Sequence, residues 1–135
     1  MPPCRTEPDD VSMAHGNEAV VRRAYQAINR GDIEAFVREF THDAVWHGAE
    51  ARISGAQAIG NLVNQLRTAS GGTLHIELHD VLANDEHAVA LQVTQAERGG
   101  RMLSDRVVYV FHLRNGKIAE AWFNGDPRVQ DDFWA

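Results

Sequence analysis

The chain has 135 residues, 44% of them hydrophobic and 24% charged, which is enough for one sizeable core and too little for two. Its formal net charge is -6, and its 13 Lys and Arg are scattered rather than gathered in a stripe, which argues against a nucleic acid partner. No window approaches the roughly 18 apolar residues of a membrane span, and no basic segment leads into an apolar one at the start, so the expectation is a cytoplasmic protein with no membrane partner.

Residues 1–13 carry Pro2, Pro3, Pro8 and an Asp9-Asp10 pair but no apolar periodicity, and are expected to form a flexible tail ahead of a single domain over 14–135. Cys4, the one cysteine, excludes an internal disulfide and a cysteine-based zinc site. From Asn17, a candidate N-cap, Val21, Ala24, Tyr25 and Ile28 recur at helical spacing until Asn29-Arg30-Gly31. Asp32 can cap a second helix whose face is Ile33, Phe36, Val37 and Phe40. A short strand, Ala44-Val45-Trp46-His47, and a loop lead to Ser54, which with Gln57 makes a capping box for a third helix. That helix turns Ile59, Leu62, Val63 and Leu66 to one side and ends at Ser70-Gly71-Gly72.

Beyond Gly72 the period becomes two, with Leu74, Ile76 and Leu78 alternating with His75, Glu77 and His79. Strands over about His87 to Glu97, Arg101 to Leu113 and Lys117 to Asn124 follow, joined by turns at Gly99-Gly100 and Asn115-Gly116. Short turns between long strands require antiparallel neighbours. The fold class is therefore α+β: three N-terminal helices packed on a curved antiparallel sheet, a cone with an internal pocket.

Three runs carry a family resemblance: Ala24 to Ala35, His42 to Trp46, and Ser54-Gly55 opening a helix. With Val110 to Ile118, Glu120, Trp122 and Asp126, the chain resembles the SnoaL-like and ketosteroid-isomerase-like branch of the nuclear transport factor 2-like superfamily over about Glu18 to Asp126. The resemblance implies a small-molecule ligand or substrate and a homodimer formed through the outer face of the sheet. It leaves the reaction open, since the branch holds isomerases, polyketide cyclases, dehydratases and epoxide hydrolases alongside non-catalytic modules.

By that resemblance the isomerase base falls on Gly48 and the first-helix tyrosine donor on Ala24, with Tyr25 beside it, so steroid isomerisation by the familiar route is not expected. The acid of the last strand falls on Phe123. The hydrogen-bond donor of the penultimate strand falls on Tyr109, whose phenol stays protonated at neutral pH and can donate to a carbonyl or enolate, or else serve as a core tyrosine bonded locally. Asp105 shares Tyr109's face by period two and is the candidate base, or else a strand-end partner of Arg101 or Arg106.

Candidate binding residues are Tyr25, Phe40, Trp46, His47, Leu62, Gln92, Val107, Phe123 and Asp126. Two carry alternatives. His47 faces away from the pocket if Trp46 faces in, unless a twist at Gly48 returns it, and Asp126 can instead cap the turn between Gly125 and Pro127. Gln92 and Thr94 fall where epoxide hydrolases carry water-activating charges, and neither can act as a base. Residues two apart on a strand are about 6.6 Å apart, too far for His75, Glu77 and His79 to bind one ion, so no metal or cofactor is expected. Phe133 and Trp134 can fold over the mouth, pack on a partner subunit or stay exposed.

These readings point to a cofactor-independent enzyme acting by proton transfer (cyclisation, isomerisation or dehydration) on an apolar, carbonyl-bearing molecule such as a polyketide. The alternatives are a non-catalytic binder using the same pocket and a dimeric interaction module with a filled cavity.

Overall fold

The computed structural model describes residues 12–49 and 51–135, with side chains from Gly16 onward. Cys4 and the rest of the expected tail up to residue 11 lie outside the described residues. Helix α1 (Ser12–Arg30) is already under way before Asn17, so that residue is not its cap. The Asn17 side chain is buried instead, and its Nδ2 donates to the Asn84 carbonyl at 2.8 Å, tying the helix to a hairpin turn. The apolar stripe Val20, Val21, Ala24, Tyr25 and Ile28 is buried as its spacing requires. Each large side chain among them contributes roughly 1.5–3 kcal/mol by leaving water.

Asp32 caps α2 (Ile33–Arg38), its Oδ1 accepting from the Ala35 N–H at 3.0 Å. Phe40, assigned to the α2 face by periodicity, opens β1 (Phe40–His47) instead. It pairs with Ile118, and the Ile118 N–H donates to the Glu39 carbonyl at 2.9 Å. Sheet pairing ends a helix too short to hold its own last turn. The loop expected after β1 contains β2 (Arg52–Ser54), antiparallel to it. Ser54 is thereby committed to an extended strand and forms no capping box; Gly55, at φ 98°, makes the turn into α3 (Ala56–Ala69), and Gln57 bonds to Asn61. Only glycine adopts that backbone angle without strain.

Strands β3 (His75–Ala83), β4 (His87–Arg98), β5 (Arg101–Arg114) and β6 (Lys117–Asn124) form the antiparallel meander that the alternation predicts. Asn115 and Gly116, both at positive φ, turn β5 into β6. The sheet order is β2-β1-β6-β5-β4-β3, with β1 parallel to β6, a long-range pairing that no local pattern announces. Helix α1 crosses β3 and β4, α3 lies over β1, and the deepest core includes Ile28, Phe36, Ile59 and Phe111. No helix among the described residues is long and apolar enough to cross a membrane.

Two features decide the shape of the open end. Asn29 of α1 bonds both backbone groups of Ile76 on the edge strand β3, donating to its carbonyl at 2.8 Å and accepting from its N–H at 2.7 Å. A fourth helix, α4 (Pro127–Trp134), not predicted from the sequence, folds back over the mouth. Asp126 caps it and Pro127 opens it, a start signal that was legible. Its far end is pinned by Arg98 and Arg101, whose guanidinium groups donate to the Phe133 carbonyl at 3.2 and 3.1 Å. Arg101 also stands over the Phe133 ring, 5.7 Å from its centre, and is thereby unavailable to Asp105.

Candidate functional site

The concave face of the sheet, α1 and α3 enclose a cavity of about 270 Å³ that opens between the β1–β2 loop and α4. The wall is built by alternation. On β5, Asp105, Val107 and Tyr109 stand in register with Thr94, Gln92 and Ala90 of β4, and Phe123 of β6 lies beside Tyr109. Helix α3 supplies Ile59, Leu62, Val63 and Leu66 from its apolar stripe, and β3 supplies Ile76.

Polar groups are few and linked. The Tyr25 hydroxyl donates to Gln92 Oε1, and Gln92 Nε2 donates to Thr94 Oγ1 at 3.1 Å. Gln92 and Thr94 are 3% and 8% exposed, so this chain satisfies groups that would otherwise cost a full desolvation penalty. Tyr109 stands against Trp46, with ring centres 4.9 Å apart, and against Phe123 at 5.6 Å. No protein acceptor among the described residues takes its proton.

Burial raises the Tyr25 phenol well above its ordinary pKa, with the nearby Tyr109 adding to the effect. Burial likewise raises Tyr109; the Trp46 indole N–H pulls the other way, and the Asp105 carboxylate raises it further. Both phenols stay neutral far above physiological pH. They are donors, not bases.

Of the residues nominated from the sequence, Tyr25, Trp46, Leu62, Gln92, Val107, Tyr109 and Phe123 line the cavity. Phe40 does not: it packs between Phe36, at 4.8 Å, and Trp46, at 6.2 Å, as part of the filled core. His47 points out of the sheet, because Trp46 takes the inward position. Its Nε2 lies 2.7 Å from Glu120 Oε2, and its ring stacks on Trp122. Asp126 is occupied in capping α4 and pairing with Arg128, outside the cavity. His75, Glu77 and His79 are exposed.

Asp105 shares the inward face with Tyr109, but its carboxylate stops short of the cavity. Gln130 of α4 stands between, donating through Nε2 to Asp105 Oδ2 at 2.7 Å and accepting from Trp134 Nε1 at 3.0 Å. Neither Arg101 nor Arg106 pairs with Asp105 among the described residues. Of the three placements open to Trp134, the structure shows it at the mouth, and its α4 neighbours Gln130 and Asp131, which sequence reasoning missed, line the mouth with it. Phe133 is buried beneath the helix.

A helix-covered cone with an apolar cavity and a few aligned hydrogen-bonding groups is the architecture of the nuclear transport factor 2-like fold. The SnoaL-like domain family matches residues 21–121, and the chain belongs to that family. Bal32a, from a soil-derived mobile gene cassette, is 29% identical with a TM-score of 0.84 over 91% of this chain and 99% of its own. A candidate polyketide cyclase from Xanthomonas campestris is 17% identical, TM-score 0.75, over 91% and 99%. A LEH-like epoxide hydrolase from M. tuberculosis is 15% identical, TM-score 0.74, over 90% and 86%. The last two show the fold alone. No curated protein matches the chain.

Proposed function

We propose that the chain is a cofactor-independent enzyme that binds an apolar, carbonyl-bearing small molecule and moves a proton on it, in a cyclisation, isomerisation or dehydration. The observation that carries this reading is Tyr109, a neutral phenol in the wall of an apolar cavity with its proton given to no protein group among the described residues. A carbonyl oxygen there accepts from Tyr109. When the carbon–hydrogen bond beside that carbonyl breaks, the pair of electrons passes to the oxygen, and the phenol stabilises the enolate in a dry site where such a bond is strong. Asp105 takes the proton once Gln130 swings aside, and returns it to another carbon or to a leaving oxygen.

The test is exchange of the α-hydrogens of a bound ketone for deuterium in D2O, followed by NMR. Wild-type protein is expected to exceed the buffer rate, and Tyr109→Phe and Asp105→Asn to lose most of that excess while remaining folded. Binding without exchange in the wild type would favour the second reading, a non-catalytic binder. The position of Gln130, screening Asp105 from the cavity, supports that alternative.

We further propose a cytoplasmic homodimer. Leu91, Val108, Val110 and Trp122 leave a partly exposed apolar strip on the outer sheet face, which a second copy would cover. Native mass spectrometry reports the mass directly, and a monomer at micromolar concentration would remove the dimer.

A further inference from the structure

We infer that the cavity is cut for a neutral two-ring molecule bearing one acceptor oxygen, and that α4 sets that size. This rests on the binding half of the function proposed above and narrows it. An apolar cavity of about 150 Å³ accepts one benzene ring. At 270 Å³ this one has room for two fused rings, and a four-ring skeleton exceeds it while α4 is closed.

The length limit comes from particular side chains. Tyr25, Gln92 and Thr94 form a hydrogen-bonded row along one wall, Trp46 and Tyr109 pack against each other in the lining, and Trp134 and Gln130 stand at the mouth. Trp134 is held by its bond to Gln130, and the helix end by Arg98 and Arg101, so the lid is braced at several points. Neutrality follows from the charges. No Lys, Arg or His lines the cavity among the described residues, and the carboxylate at its edge, Asp131, repels an anion.

The type of polar group follows from the hydrogen-bond inventory. Tyr25 spends its proton on Gln92, and Gln92 spends one of its two amide protons on Thr94, whereas the Tyr109 hydroxyl proton goes to no protein group among the described residues and is left for a ligand. The Tyr109 phenol asks for an acceptor, a ketone or quinone-like oxygen. Trp134 and Gln130 are thereby specificity-determining residues, contributed by a helix that the chain adds after its last strand.

The experiment is isothermal titration of the full chain with five probes: α-tetralone, naphthalene, 1-naphthoate, anthrone and androstenedione. α-Tetralone is expected to bind tightest, with naphthalene about three- to tenfold weaker for want of one hydrogen bond. Tyr109→Phe should bring those two together. Trp134→Ala, and independently Leu62→Ala on the facing wall, should improve anthrone relative to α-tetralone, with circular dichroism checking the fold of each. The inference is overturned if androstenedione or 1-naphthoate outbinds α-tetralone in the wild type, or if no probe binds up to its solubility limit. The two proposals fail separately. Tight α-tetralone binding without deuterium exchange ends the enzyme reading alone, whereas exchange confined to three- or four-ring ketones ends the size inference alone.

Discussion

Gln130 on α4 and Asp105 on β5 are joined by a 2.7 Å hydrogen bond, and that single contact links the lid helix to the carboxylate that shares Tyr109's face of the sheet. Removing the amide should free both partners. In Gln130→Ala, Trp134 loses its acceptor and Asp105 its donor, at a cost of about 1–2 kcal/mol to the closed helix. Amide hydrogens of α4 should then exchange about 5- to 30-fold faster while those of β5 keep their protection. Unchanged protection in α4 would mean that Arg98 and Arg101 alone hold the lid.

The two buried phenols make a prediction about alkaline pH. Folding raises both pKa values, so below the ordinary value of about 10 both states keep their protons and stability is fully present. Above it the unfolded chain releases protons that the folded chain holds, and stability falls by up to about 1.4 kcal/mol per pH unit for each tyrosine. Urea titrations between about pH 9 and pH 11 should show this slope, roughly halved in Tyr25→Phe and in Tyr109→Phe. An identical slope in both variants would assign the alkaline loss to other groups.

Gly60 reports on how closely α2 and α3 pack. A Cβ there would lie 2.5 Å from Val37 Cγ2 and 3.2 Å from Ile33 Cγ2. Alanine gains about 1 kcal/mol of helix propensity, while overpacking costs about 1–3 kcal/mol, so the clash wins. Gly60→Ala should lower the unfolding midpoint, and adding Val37→Ala should restore part of it. A Gly60→Ala chain more stable than wild type would show that α2 yields freely.

Gly125 makes the corresponding contact inside the cavity wall, where a Cβ would meet Phe123 Cζ and Val107 Cγ1, each at 2.8 Å. Both rings and branches line the pocket, so Gly125→Ala should push them inward. The expected result is weaker binding of two-ring ketones by titration, with the Tyr25–Gln92–Thr94 row undisturbed. Unaltered affinity would show that the wall relaxes outward instead.

Much of the fold was legible because alternation and turn chemistry are local. The β6 boundaries follow from Asn115-Gly116 and the pattern after it, and the inward row of Asp105, Val107 and Tyr109 follows from period two. Other features depend on partners distant in the chain. Three residues of β2 carry too little pattern to register, and Phe40 was claimed for a helix until its pairing with Ile118 is known. Asn17 and Asn29 read as ends of a helix, although both are bonded to other elements through side chains that periodicity ignores. The candidate site divides the same way: the family resemblance pointed to Tyr109 and strand phase led from it to Asp105, whereas the screening of Asp105 requires α4 in place. The capping Asp126 and Pro127 signalled that helix, but the turn reading absorbed them.

The sheet has two open edges, and an open edge is an invitation to aggregate. One is β2, only three residues long, a poor template for a foreign strand. The other, β3, is long, but Asn29 occupies both backbone groups of Ile76 near its start, and a bulge between Leu78 and Asp80 bends the remainder. A helix side chain thus fills the place where an added strand would begin to pair, so Asn29→Ala should leave a protein that folds yet deposits fibrils on prolonged storage. The amide that steadies a pocket wall also occupies the backbone groups that an added strand would need.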